Sequence, residues 1–126
     1  MTPQELLKKA GRALESARAL LALNDVDGAC NRAYYAMFDA ARAALLLKNP
    51  DIGLETIKTH QGLITKFGLH MVKTGSVSPE LGKTLNKTQD IRLIADYSGD
   101  LITEEQAHWV VTQADIFVTA IHKLHT

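Results

Sequence analysis

The sequence has little that would commit it to a disulfide, a membrane or a strongly charged partner. It contains one cysteine, three prolines and 6% aromatic side chains in 126 residues. Because Cys30 cannot form an internal disulfide, a reducing compartment is favoured, and we expect a cytoplasmic protein. Lys and Arg number 14, as do Asp and Glu. This balance excludes a strongly basic nucleic-acid wrapper and an acidic tail protein.

Long apolar runs and metal-binding motifs are also missing. The apolar runs, such as Ala43 to Leu47, are far shorter than the roughly twenty residues that a membrane helix needs. The basic residues near the N-terminus leave no apolar stretch of the kind that a signal peptide requires. Five histidines are present, but none belongs to a Cys-x-x-Cys or His-Glu-x-x-His pattern. We therefore expect no metal, no cofactor and no membrane segment.

What is present is enough apolar sequence for one folded unit. Hydrophobic residues make up 46% of the chain and charged residues 22%, which is too apolar for intrinsic disorder. A length of 126 residues falls within the usual range of one domain. The sequence predicts a single domain over residues 1–126.

Capping residues and apolar periodicity predict five helices. No segment alternates apolar and polar residues for long enough to be a strand. The predicted starts are the Thr2–Glu5 capping box, the turn Asp25–Gly28, Thr59, Ser78-Pro79, and the Thr103–Gln106 box. The second helix is rich in alanine, so that neighbours can pack closely around it. These features predict an all-α fold, a five-helix antiparallel bundle.

The fourth helix carries an arginine in an unexpected place. Steps of four and three residues from Leu81 lead to Thr88 and then to Arg92, so Arg92 shares the stripe that faces the core or a partner. Asp96 follows one turn later, and Tyr97 lies next to it, before Ser98-Gly99 ends the pattern. Two interpretations stay open: an ordinary ion pair between positions i and i+4, or a guanidinium placed to bind phosphate through two hydrogen bonds.

Charge is distributed unevenly along the chain. Residues 58–92 contain six basic and two acidic side chains, whereas residues 93–126 contain one basic and five acidic ones. The third and fourth helices are thus predicted to form the basic part of the molecule, as a phosphate-binding surface would require. A solvated lysine face would give the same count.

Several separated segments together resemble the HEPN domain (higher eukaryotes and prokaryotes nucleotide-binding). They are Asn31-Arg32-Ala33-Tyr34-Tyr35-Ala36-Met37-Phe38-Asp39-Ala40-Ala41-Arg42-Ala43, Lys58-Thr59-His60, Phe67-Gly68-Leu69-His70-Met71-Val72-Lys73-Thr74-Gly75 and Arg92-Leu93-Ile94-Ala95-Asp96-Tyr97. The likeness covers nearly the whole chain and is greatest to the small prokaryotic branch that accompanies minimal nucleotidyltransferases. It implies a helical bundle, a homodimer, and a groove at or near the dimer interface that binds RNA or a nucleotide.

The resemblance also implies candidate site residues. Many HEPN domains are metal-independent RNase toxins with an arginine followed, after four to six intervening residues, by a histidine, and some partner nucleotidyltransferases modify a nearby tyrosine. Arg92 matches the arginine, and Asp96 and Tyr97 complete the candidate catalytic set. Positions 97–99 hold Tyr97, Ser98 and Gly99, so the expected histidine is missing.

A substitute histidine could come from another part of the chain, because RNA cleavage without a metal needs a group that titrates near neutral pH. We expect Lys58, His60 and His70 as candidate binding residues, with His60 or His70 as the replacement. Three functions follow. The first is a HEPN companion of a minimal nucleotidyltransferase in a toxin–antitoxin module, binding RNA or nucleotide around Arg92. The others are a metal-independent RNase toxin and a non-catalytic helical scaffold for dimerisation or partner binding.

Overall fold

Helices make up the regular structure of the chain. The structure, a computed structural model, describes residues 1–98 and 101–125. Within these ranges there are five α-helices and no strand. The α-helices are α1 (Pro3–Ala22), α2 (Val26–Lys48), α3 (His60–Phe67), α4 (Pro79–Leu93) and α5 (Glu104–Leu124). This arrangement confirms the predicted all-α class.

Both predicted capping boxes are present. The Thr2 hydroxyl accepts a hydrogen bond from the Glu5 amide at 3.1 Å, while the Glu5 carboxylate accepts one from the Thr2 amide at 3.1 Å. Thr103 and Gln106 make the same pair of bonds, at 3.0 and 2.9 Å, before α5. Each box satisfies backbone donors that the first helical turn leaves unpaired.

Helices α1 and α2 lie side by side, with α5 packed against both. A tight turn joins α1 to α2, in which Asn24 has a φ of 64° and the Asp25 carboxylate accepts a hydrogen bond from the Gly28 amide at 3.0 Å. A turn this short makes the two helices antiparallel. The buried residues of α2 include seven alanines: Ala29, Ala33, Ala36, Ala40, Ala41, Ala43 and Ala44. Small side chains let the surrounding helices approach, and α2 is the central helix, as predicted.

The shorter helices α3 and α4 each continue into a π-helical turn. These turns cover Gly68–Val72 and Ile94–Ser98. The sequence predicts uninterrupted helices at both places, because five residues are too few for the apolar pattern to distinguish a π turn from an α-helical turn. The predicted stop at Ser98-Gly99 includes a residue outside the described ranges.

The start of α3 is held by a close backbone contact. Thr59 caps the helix by accepting a hydrogen bond from the Gly62 amide at 3.0 Å, which confirms the predicted cap. A Cβ on Gly62 would collide with the Thr56 carbonyl oxygen. Glycine at this position therefore allows the backbone at the start of α3, two residues after His60, to lie this close to Thr56.

No α-helix in the described ranges combines the length and apolarity that crossing a membrane requires. The buried apolar residues form one cluster to which all five helices contribute. The polar and charged residues buried with them are Asp39, Thr88 and Arg92.

Candidate functional site

Arg92 lies at the end of α4 on its buried face. The side chains of Leu81, Leu85 and Thr88, earlier on the same stripe, are all buried. Arg92 itself is only 4% exposed. The position that the sequence predicts for this arginine is thus correct, and its charge requires partners because an uncompensated buried charge is costly.

Two side chains on the same helical run hold the guanidinium. Arg92 Nη1 donates to Asp96 Oδ2 at 2.8 Å, and Arg92 Nε donates to Gln89 Oε1 at 3.0 Å. Asn31 on α2 donates from Nδ2 to the same Asp96 oxygen at 3.3 Å. Asp96 therefore orients the arginine, and Asn31 connects the pair to α2.

Two tyrosines of α2 lie against the other side of the arginine. The guanidinium carbon of Arg92 is 5.1 Å from the ring centre of Tyr34 and 5.6 Å from that of Tyr35. A guanidinium at such distances is attracted by the negative face of an aromatic ring. The tyrosines thus help to compensate the buried charge and limit how far the side chain can turn.

His60 completes this cluster from the first turn of α3. Its Nδ1 is 2.9 Å from the Tyr34 hydroxyl, and its Nε2 is 3.5 Å from the Tyr35 hydroxyl. The imidazole also packs on Phe38, with ring centres 5.1 Å apart. We call His60, Tyr34, Tyr35, Arg92 and Asp96 the arginine cluster.

Burial and the positive charge of Arg92 lower the pKa of His60 below its ordinary value. Burial also raises the pKa of Tyr34, so its hydroxyl stays protonated at neutral pH. The arginine cluster thus contains a neutral imidazole, a protonated phenol and a fixed cation. A neutral imidazole can accept a proton, and a fixed guanidinium can neutralise a phosphate.

The other candidate residues lie apart from these contacts. Lys58 is exposed two residues before α3, and His70 is half-buried in the π turn that follows α3. Tyr97 is 76% exposed in the π turn after Arg92. Within the described residues, no hydrogen bond or ring contact connects these three to the arginine cluster. Their functional roles stay predictions.

The sequence does not by itself predict the hydrogen bonds that Gln89 and Asn31 make in the arginine cluster. Gln89 lies three residues before Arg92, a spacing at which helical side chains meet, and this could have indicated the contact. Asn31 is 65 residues from Asp96 in the chain, so only the packing of α2 against the end of α4 brings them together. Tyr34 is fully buried, and its hydroxyl contacts His60 Nδ1.

A metal centre and a reactive thiol find no support in the described part of the chain. No group of three or more His, Cys, Asp or Glu side chains there is placed to hold a metal ion. Cys30 is buried, and burial, with smaller contributions from Asp27 and Asp96, raises its pKa to about 11. A thiol with this pKa is protonated at neutral pH and a poor nucleophile.

Comparison with known proteins places these features in a family. The HEPN domain matches residues 3–124. A protein of Methanocaldococcus jannaschii named as a putative toxin is 37% identical over 120 residues, covering 95% of this chain and 86% of the relative. A second protein of that organism with the same kind of name is 31% identical over 123 residues, covering 95% and 79%. A UPF0332 protein of Thermotoga maritima is 38% identical over 120 residues, covering 93% and 86%.

Proposed function

Since the chain belongs to the HEPN domain family, we propose that it is the toxin of a cytoplasmic toxin–antitoxin module whose partner is a minimal nucleotidyltransferase. Two relatives named as putative toxins support the toxin half of this proposal. The partner follows from the branch of the family that the sequence resembles. The proposed ligand is RNA or a nucleotide, bound by its phosphate at the arginine cluster.

The observation that carries the proposal is the buried, oriented guanidinium of Arg92. Asp96 occupies Nη1 at 2.8 Å, where a phosphate oxygen would make a bond of the same kind. The Asp96 side chain is 24% exposed and belongs to the π turn rather than to α4. Asp96 can therefore turn toward solvent and leave its place to a phosphate, while Gln89 keeps the guanidinium aligned through Nε.

A second candidate function, RNA cleavage without a metal, is favoured by His60. In this reaction His60 accepts the proton of a ribose 2′-hydroxyl, and the resulting oxygen attacks the adjacent phosphorus. The bond to the 5′-oxygen then breaks, and that oxygen takes a proton from water. The acceptor would be Nε2, because its contact with Tyr35 at 3.5 Å is at the limit of a hydrogen bond and is easily given up.

A homodimer belongs to the same proposal. Leu93 and Ile94 at the end of α4 have exposed apolar side chains, and Tyr97 in the following turn is exposed as well. Exposed apolar groups of this kind are common at interaction sites, and these lie next to Arg92, where the resemblance places the dimer interface. Sedimentation equilibrium of the purified chain should give twice the monomer mass; a monomer at micromolar concentration would contradict this part.

Growth arrest and RNA cleavage test the main proposal. Expression of the chain should arrest bacterial growth, and Arg92→Gln should relieve the arrest. Purified protein should cleave labelled RNA in the presence of EDTA, and His60→Gln should reduce the rate more than a hundredfold, since general base catalysis contributes about 10²–10⁴-fold. Arg18→Gln is the matched control, because Arg18 pairs with Asp115 on the exposed surface.

The results separate the three functions. Growth arrest and RNA binding without cleavage would reject the RNase and leave a binding toxin. If the wild-type chain neither binds RNA nor arrests growth, the scaffold interpretation replaces the proposal. Under that interpretation Arg92→Met is neutral or stabilising, as is often found when apolar residues replace buried ion pairs. Co-purification with a co-expressed minimal nucleotidyltransferase tests the partner, and separate elution of the two proteins would reject it.

A further inference from the structure

One carboxylate oxygen of Asp96 accepts hydrogen bonds from two helices. Arg92 Nη1 on α4 donates to Asp96 Oδ2 at 2.8 Å, and Asn31 Nδ2 on α2 donates to the same oxygen at 3.3 Å. The Asp96 side chain is 24% exposed, whereas that of Arg92 is 4% exposed. The point at which the two donors converge is therefore a position for an anionic oxygen, and Asp96, which fills it, is the more exposed partner of the pair.

Arg92 and Asp96 balance each other's charge in the arginine cluster. Burial and Arg92 lower the pKa of His60, so its imidazole is neutral at pH 7. Burial raises the pKa of Tyr34 and that of the neighbouring Cys30, so both keep their protons. Among these described side chains, the arginine and the aspartate are thus the charged ones. If Asp96 left without a replacement, a buried cation would lose its partner, which is costly.

Asp96 competes with any anion that approaches this position. It is attached to the chain one turn away from Arg92, and even a short flexible linker gives an effective concentration in the millimolar range. A phosphodiester within an RNA strand carries one negative charge, as Asp96 does, and would form a bond of the same kind. Exchanging one monoanion for another leaves the local charge unchanged. An internal phosphate of RNA therefore has little advantage over the carboxylate that it must displace.

A phosphate monoester has more charge and more free oxygens than a phosphodiester. Near pH 7 it carries a charge of about −1.5 to −2 and three strong acceptor oxygens. With Asp96 turned toward solvent, such a phosphate can accept from both Arg92 Nη1 and Asn31 Nδ2, and its additional charge favours the exchange. In RNA a phosphate monoester occurs at the end of a strand, and a mononucleotide presents the same group.

We propose that Asp96 is an internal competitor that selects ligands with a terminal phosphate, so that a phosphate monoester displaces it far more readily than an internal phosphodiester does. This inference rests on the proposed function, since it takes a phosphate as the ligand at Arg92. It narrows the ligand from RNA in general to an RNA end or a nucleoside monophosphate. Asp96 thereby controls which ligand enters the arginine cluster, and Asn31 serves as a second donor to the bound phosphate.

Fluorescence anisotropy with one labelled RNA sequence tests the inference at pH 7 and constant salt. The strand is prepared with a 5′-phosphate, with a 3′-phosphate, or with hydroxyl groups at both ends. The wild type should bind at least one phosphorylated strand about tenfold more tightly than the hydroxyl strand, the difference expected for one stronger charged hydrogen bond. Equal affinity for the three strands would overturn the inference. Displacement of the phosphorylated strand by AMP, but not by adenosine, would identify the phosphate monoester itself as sufficient; displacement by neither would assign the site to an RNA end.

Asp96→Asn tests the role of the carboxylate. The amide oxygen can still accept a hydrogen bond from Arg92, but it has no negative charge and competes less well. The hydroxyl strand should therefore bind about tenfold more tightly than to the wild type, and the preference for the phosphorylated strand should decrease. Asp115→Asn is the matched control, because it removes the same charge from an exposed ion pair with Arg18, and it should change neither quantity. An Asp96→Asn protein with wild-type affinities would overturn the inference.

Arg92→Gln distinguishes the inference from the proposed function. It should abolish the preference for a terminal phosphate, and a preference that persists would mean that this phosphate binds elsewhere. If Arg92→Gln weakens RNA binding while the wild type binds all three strands equally, selection by Asp96 is wrong and the proposed function stands. If the wild type binds none of the strands, both fail. The comparison of strands uses the wild-type chain, so it decides the question even if Asp96→Asn does not fold.

Discussion

The packing of α1 against α2 and the arginine cluster are built from opposite kinds of residue. Most of the buried side chains of α1 and α2 are leucines and alanines, such as Leu6 and Ala40. In the arginine cluster, the buried Arg92 lies against two tyrosines, one of which contacts a histidine, and a π turn begins two residues after Arg92. Burial of apolar side chains stabilises the first region. In the second region the burial of polar groups offsets part of that stabilisation, and their contacts hold them in one arrangement.

The largest effect on stability should come from the first region. Leu6→Ala removes a fully buried side chain and should lower the free energy of unfolding by about 2–5 kcal/mol, as leucine truncations in protein cores do. RNA binding by the molecules that remain folded should be unchanged. Urea denaturation together with anisotropy measures both. A loss of affinity in the folded fraction would show that the two regions are not independent.

A smaller effect on stability, with a larger one on function, should follow from Gly62→Ala. The added Cβ collides with the Thr56 carbonyl, and fitting it should cost about 1–3 kcal/mol, as overpacking does. Since α3 begins beside this contact, His60 should shift away from Tyr34. Loss of the RNA cleavage rate at temperatures where circular dichroism shows a folded protein would be the expected result; a wild-type rate would mean that His60 does not need this anchor.

The arginine cluster should also make stability depend on pH. Burial and Arg92 lower the pKa of His60 from 6.5, so below pH 6.5 the unfolded chain takes up a proton that the folded chain resists. Stability from this source is present above pH 6.5 and is lost as the pH falls through the folded-state pKa. His60→Gln should flatten this decline in denaturation curves recorded between pH 7 and pH 5. An unchanged decline would assign it to His125, whose pKa is also lowered.

The smallest effect is expected away from both regions. Arg18 and Asp115 form an ion pair at 3.0 Å with half of each side chain exposed. Exposed pairs contribute about 0–1 kcal/mol, so Arg18→Gln should leave the urea midpoint nearly unchanged. A larger shift would show that the packing of α5 on α1 depends on charge as well as on apolar burial.

The sequence predicts the first region better than the second. Capping boxes at Thr2 and Thr103 act within one turn, and apolar periodicity identifies the buried face of each helix, so both can be read locally. The same periodicity places Arg92 on the buried stripe of α4.

The arrangement around Arg92 is different, because it joins residues far apart in the chain. His60 meets Tyr34 across 26 positions, and Asn31 meets Asp96 across 65. The sequence names His60 and His70 as equal substitutes for the missing histidine, and only the packing of α3 on α2 brings His60 to Tyr34. The apolar pattern of the sequence does not predict either π turn.

The π turn after Arg92 determines how this part of the chain would respond to the loss or gain of one residue. A π turn closes over one residue more than an α turn, so deletion of one residue between positions 94 and 98 would convert it to α-helix instead of breaking the helix. The few helical residues beyond the deletion, up to position 98, would rotate by about 100° around the helix axis, while Arg92 would keep its place against α2. The resemblance gives the family histidine a variable distance from its arginine. One residue more or less in this turn would therefore redirect the side chains after Arg92 without moving Arg92 itself.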